Sequence, residues 1–171
     1  PHEFFISECS KLQIKLPAFG SYGVGLVFFP ADATVREECR TVLNRQIKKM
    51  KMTLLGYRKM PTNNTDLGET AMKSEPQMEQ VFIKRPDSIK DADDFERKLF
   101  ILRKYATRII TESVSGVNNQ FYFSSLSYKT IAYKGMLTSG QLRYYFADLH
   151  NEEVVSAFAV IHSRFSTNTS P

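Results

Sequence analysis

The chain has 171 residues, 42% of them hydrophobic and 12% aromatic, which suits one ordinary domain and is too apolar for a disordered tail. Its formal charge of +5 comes from 23 basic residues interspersed with 18 acidic ones, and with no zinc-finger spacing or RNP-type aromatic motif beside them the excess makes no case for nucleic acid as a partner. No apolar run approaches the ~20 residues that span a membrane, Pro-His-Glu-Phe-Phe lacks the features of a signal peptide, and Cys9 and Cys39 both lie in helix-like patterns, so a reduced cytoplasmic protein is expected.

Phe4, Phe5, Cys9, Leu12 and Leu16 share one side of a helix predicted from Glu3 to Leu16 and ended by Pro17. Tyr22 to Phe29, rich in valine and phenylalanine and stopped by Pro30, predicts a buried strand. Gly20, Gly23 and Gly25 lack the third glycine that a dinucleotide fingerprint needs and point to close backbone packing instead. Thr34 is the expected cap of a second helix with the stripe Val35, Cys39, Val42, Leu43, Ile47 and Met50. From Arg36 to Lys59, the cations Arg36, Arg40, Arg45, Lys48, Lys49, Lys51, Arg58 and Lys59 face only Glu37 and Glu38, and are expected on the wet side of that helix and the start of the next element.

Met52 to Met60 is strand-like, Thr62 to Gly68 is a turn-rich connection, Glu69 to Lys73 is a short helical piece, and Met78 to Lys84 is a strand closed by Pro86. The longest helix is predicted from Asp91 to Ile110, with Phe95, Leu99, Leu102, Ala106 and Ile109 inward. Asp91, Asp93, Asp94 and Glu96 at its start, with Arg103, Lys104 and Arg108 toward its end, complement the helix dipole and read as structural carboxylates. Asn118-Asn119 marks a turn before two antiparallel strands, Phe121 to Ser127 and Thr130 to Tyr133. Thr138 with Gln141 is a capping-box pattern for a helix through about Phe146, and Val154 to His162 runs apolar as a last strand. The pattern favours an α+β layered fold with antiparallel sheet, without repeats or an inter-domain linker.

By inspection no catalytic constellation is complete. His2, His150 and His162 stand apart, no histidines or cysteines have zinc spacing, no serine sits in a nucleophile elbow, and His162 reads as a packed core residue at the end of a strand. Arg164, with Ser166, Thr167 and Asn168 beside it, is the best local cluster, because one guanidinium among hydroxyls and an amide can clamp a carboxylate.

Six blocks carry a resemblance. They are Tyr-Gly-Val-Gly-Leu-Val-Phe at 22–28, Leu-Leu-Gly-Tyr-Arg-Lys-Met-Pro-Thr-Asn at 54–63, Leu-Gly-Glu-Thr-Ala-Met-Lys-Ser-Glu-Pro at 67–76, and Phe-Glu-Arg-Lys-Leu-Phe-Ile-Leu-Arg-Lys at 95–104. The stretch from Phe121 to Leu137 and His-Ser-Arg-Phe-Ser-Thr-Asn-Thr at 162–169 complete the set. Together, and in order over nearly the whole chain, they resemble an internal segment of the class II glutamine amidotransferase domain of glutamate synthase large subunits, so that residues 1–171 form one partial domain.

The resemblance implies an N-terminal-nucleophile hydrolase, an αββα sandwich of two stacked, largely antiparallel sheets. In that family a terminal cysteine thiolate, assisted by its own α-amino group, attacks the side-chain amide of L-glutamine; a glutamyl thioester and ammonia form, and water releases glutamate. The ammonia passes to a distant site that aminates 2-oxoglutarate with FMN and an iron-sulfur cluster, both held by later domains of the parent. Carried over to this chain, Arg164 is expected to bind the glutamine α-carboxylate, with Thr167 and Asn168 in the substrate pocket. No cysteine begins the chain, the family's oxyanion Asn-Gly pair falls beyond Pro171, and Tyr57 stands where a tryptophan is common. The chain alone is therefore expected to be inactive, with the remaining domains of the synthase as its partners. The alternative is a non-catalytic, stand-alone module of the same fold with an amino-acid-binding or assembly role.

Overall fold

The valine- and phenylalanine-rich segment forms a strand over Tyr22–Phe29 (β1), as its composition predicts, and every residue of it except Phe28 is buried. The computed structural model describes residues 1–162. Within them β1 is an inner strand of a four-stranded antiparallel sheet, with Thr53–Lys59 (β2), Gln77–Lys84 (β3) and Tyr122–Ser127 (β4) in the order β2-β3-β1-β4. β1 meets β3 from Tyr22 opposite Lys84 to Phe29 opposite Gln77, and meets β4 through a register shift between Leu26 and Val27. The expected close approach at the glycines is present: a Cβ on Gly23 would lie 2.5 Å from Leu99 Cδ1, and one on Gly25 2.9 Å from Leu126 Cδ1.

Side chains alternate across a strand, so the sheet has two faces. Val27, Phe29, Val81, Ile83, Phe123 and Leu126 pack against the helices Ala33–Lys49 (α2) and Ala92–Ser113 (α4). On the other face Tyr22, Val24 and Phe82 meet Phe4, Phe5 and Cys9 of the first helix, His2–Lys11 (α1), while Leu26, Met60 and Met78 meet Tyr145 and Phe146. The last two come from the helix Ser139–Tyr145 (α5) and the start of the turn Ala147–His150, after the short helix Glu69–Lys73 (α3) earlier in the chain. This is an α+β fold with an antiparallel sheet, and the described residues make up one such sheet with helices on both sides. Among the described residues no helix is long and apolar enough to cross a membrane.

Several expectations need correction. α1 stops at Lys11 because Gln13 adopts φ 60, which turns the chain back; Leu12 is left 49% exposed, and Ile14 and Leu16 pack on the sheet beside Leu55. The cap of α2 is Asp32, two residues before Thr34, and its carboxylate accepts from the Val35 amide at 2.9 Å. α4 continues to Ser113, with Ile110 as the fully buried member of its last turn.

The segment from Thr130 to Tyr133 is not a strand. It leaves the sheet edge and crosses the face, Ile131 packing beside Tyr22 and Val24 and Tyr133 beside Phe146, so its backbone bonds to serine side chains of β4. Ala132 N donates to Ser125 Oγ at 3.1 Å, Ser124 Oγ donates to Ala132 O, and Ser127 Oγ accepts from the amides of Lys129 and Thr130. The strand expected from Val154 to His162 is likewise not formed: these residues are irregular, with Val160 85% exposed, and His162 is exposed rather than packed. A strand exists only through a neighbour that accepts its ladder bonds, and the described residues bring none to this segment.

Candidate functional site

Arg164, Thr167 and Asn168 lie outside the described residues. The chemistry within them centres on a residue the sequence reading placed on the wet side of the charge run. Arg45, Lys48, Lys49, Lys51 and Lys59 are solvated as expected, whereas Arg40 is partly covered and Arg58 is only 4% exposed. Arg40 is paired with Glu37 and Glu79 and lies over the Tyr57 ring.

Arg58 faces away from α2 and α4, directly opposite Gln80 of β3. Its Nη1 donates to Asp148 Oδ2 at 2.8 Å and to Gln80 Oε1 at 2.9 Å, and its Nη2 donates to Asp148 Oδ1 at 2.8 Å and to Glu8 Oε2 at 2.7 Å. Tyr133 donates its hydroxyl proton to Asp148 Oδ2 at 3.0 Å, and the Phe4 ring centroid lies 5.3 Å from the guanidinium carbon. One cation thereby joins α1, β2, β3, the crossing segment and the turn at Asp148. Burial opposes its charge, but Asp148 and Glu8 more than offset this and raise its pKa above the ordinary value. The same carboxylate, after burial, keeps the Tyr133 phenol protonated, its pKa raised well above 10.0.

The planar fork is matched to a carboxylate in two-point geometry, the pattern that also serves substrate recognition. Here the four terminal N–H positions are already taken, two on Asp148 and one each on Gln80 and Glu8. A ligand carboxylate could enter only by displacing Asp148, which is itself 3% exposed. The cluster is an internal anchor rather than a binding pocket. A signal for it exists in the sequence: Glu8 falls four residues after Phe4, on the buried side of α1, and a carboxylate in an apolar stripe demands a buried cation.

Neither cysteine is poised for nucleophilic work. Cys9 and Cys39 are free and buried in two different parts of the core, and burial pushes their thiols up to about 12 and about 11. The thiolate is the nucleophile, so both side chains are inert in the folded protein. Iodoacetamide at about pH 8 is expected to leave both unlabelled in native protein and to label both in denaturant; rapid native labelling of either would restore it as a candidate.

The histidines do not combine either. His2 Nδ1 is hydrogen-bonded with the Tyr22 hydroxyl at 2.9 Å, while His150 and His162 are exposed in other places. Among the described residues no three His, Cys, Asp or Glu side chains converge to hold a metal ion. An iron-sulfur cluster takes several cysteine thiolates, and the two protonated, separated cysteines of this chain do not fit one. The blocks at 54–63 and 67–76 do meet, around a cavity of about 230 Å³ lined by Lys59, Asn64 and Glu75 among others. Glu75 there accepts from Asn64 Nδ2 at 2.9 Å and from the Tyr145 hydroxyl at 2.7 Å, so its carboxylate is engaged in holding the loop.

Comparison with known proteins adds what geometry alone does not. Residues 1–171 match the family described as Glutamine amidotransferases class-II. The chain is 44% identical over 172 aligned residues to the "Glutamate synthase [NADPH] large chain" of Bacillus subtilis, covering 100% of this chain and 11% of that protein. It is 39% identical to the "Glutamate synthase [NADH]" of Schizosaccharomyces pombe, over 100% of this chain and 8% of that one. With "Ferredoxin-dependent glutamate synthase 1, chloroplastic/mitochondrial" of Arabidopsis thaliana it shares 42% identity over 87% of this chain and 9% of the relative. The chain thus spans 8% to 11% of the length of these relatives.

Proposed function

The chain belongs to the class-II glutamine amidotransferases, and from that premise we propose that it is a segment of the glutamine-hydrolysing domain of a glutamate synthase large chain. The observation that carries this is the match to such proteins from both bacterium and yeast over 100% of the chain. In this reading the parent hydrolyses glutamine to glutamate and ammonia and passes the ammonia to 2-oxoglutarate. FMN and the iron-sulfur cluster belong to its other domains, and the compartment is the reducing cytoplasm, in keeping with two free thiols.

Arg164 binds the glutamine α-carboxylate, with Thr167 and Asn168 beside it. A guanidinium there orients the amide for attack but cannot itself break it. The nucleophile is a cysteine outside residues 1–171, since Cys9 and Cys39 are protonated and packed away. What these residues supply is the sheet, its helical layer and one wall of the substrate pocket.

The test is a glutaminase assay on the full-length protein beside the isolated chain. Glutamate release by the first and none by the second is expected. A full-length protein without glutamine turnover would sink the assignment and leave a non-catalytic module of the same fold.

A further inference from the structure

We draw no further inference here: the strongest candidate, the outer edge of β2 beside the groove that Asn44, Ile47, Lys48, Met52, Thr53 and Leu54 line, carries nothing, since Lys48 serves the dipole of α2 and nothing in the structure shows what covers that edge.

Discussion

Arg58→Ala is expected to destabilise the fold by about 3–5 kcal/mol, measured by chemical denaturation, because removing one member of a buried ion pair strands the other. Asp148 would keep only the Tyr133 hydroxyl for a charge otherwise held by two guanidinium bonds, and Gln80, fully buried, would lose its donor. The control is the double variant Arg58→Met with Asp148→Leu, since a buried pair replaced by apolar groups of similar size is often close to neutral. Recovery of most of the loss in the double variant would assign the effect to the stranded carboxylate rather than to lost packing. A loss below about 1 kcal/mol for Arg58→Ala, the range of exposed pairs, would mean that water reaches the guanidinium in solution.

The same anchor gives the acid limb of stability a sign. The bond from Lys11 lowers the Glu8 pKa, burial opposes it, and Arg58 lowers it further. A carboxylate whose folded pKa is depressed contributes stability that is complete above its ordinary value of 4.5 and is lost as pH falls through the lower folded value. Glu8→Gln is expected to flatten the stability profile below that point.

The second large effect concerns the proposed pocket. Arg164→Ala in the full-length protein is expected to raise KM for glutamine about 30- to 1000-fold with kcat changed far less, the equivalent of about 2–4 kcal/mol for a charge-assisted contact. An interaction made equally in the ground and transition states appears in KM, and an α-carboxylate remote from the reacting amide is such a group. Arg164→Lys keeps the charge without the two-point fork and is expected to recover only part of the loss. An unchanged KM would remove Arg164 from the substrate site without touching the family membership, which rests on the whole chain.

How far the sequence carried the fold differs by element. β1 and α3 lie where composition placed them, and the Thr138 capping box forms with Gln141 in both directions, because these are signals read over a few adjacent residues. The inward stripes of α2 and α4 were legible because helical periodicity repeats the same evidence over several turns. Arg58 was misplaced because nothing local distinguishes a cation over solvent from one over Asp148, ninety residues away. The crossing segment from Thr130 to Tyr133 has strand-forming residues, yet its path is decided by Arg58, Asp148 and the hydroxyls of β4. Of the substrate site, resemblance named Arg164, Thr167 and Asn168, whereas periodicity and spacing offered only a polar cluster.

The sheet order also dictates when this chain can begin to fold as it is made. Among the described strands β1 is synthesised first, but its neighbours there are β3 and β4, and β2 pairs only with β3. No two of these strands can join until β3 has left the ribosome, roughly fifty residues behind β1, an interval on the order of several seconds at about 5–20 residues per second. During that time Leu26, Val27, Phe28 and Phe29 lack the ladder partners that β3 and β4 later supply, and an unpaired apolar strand of this kind is a template for aggregation while the chain is being made.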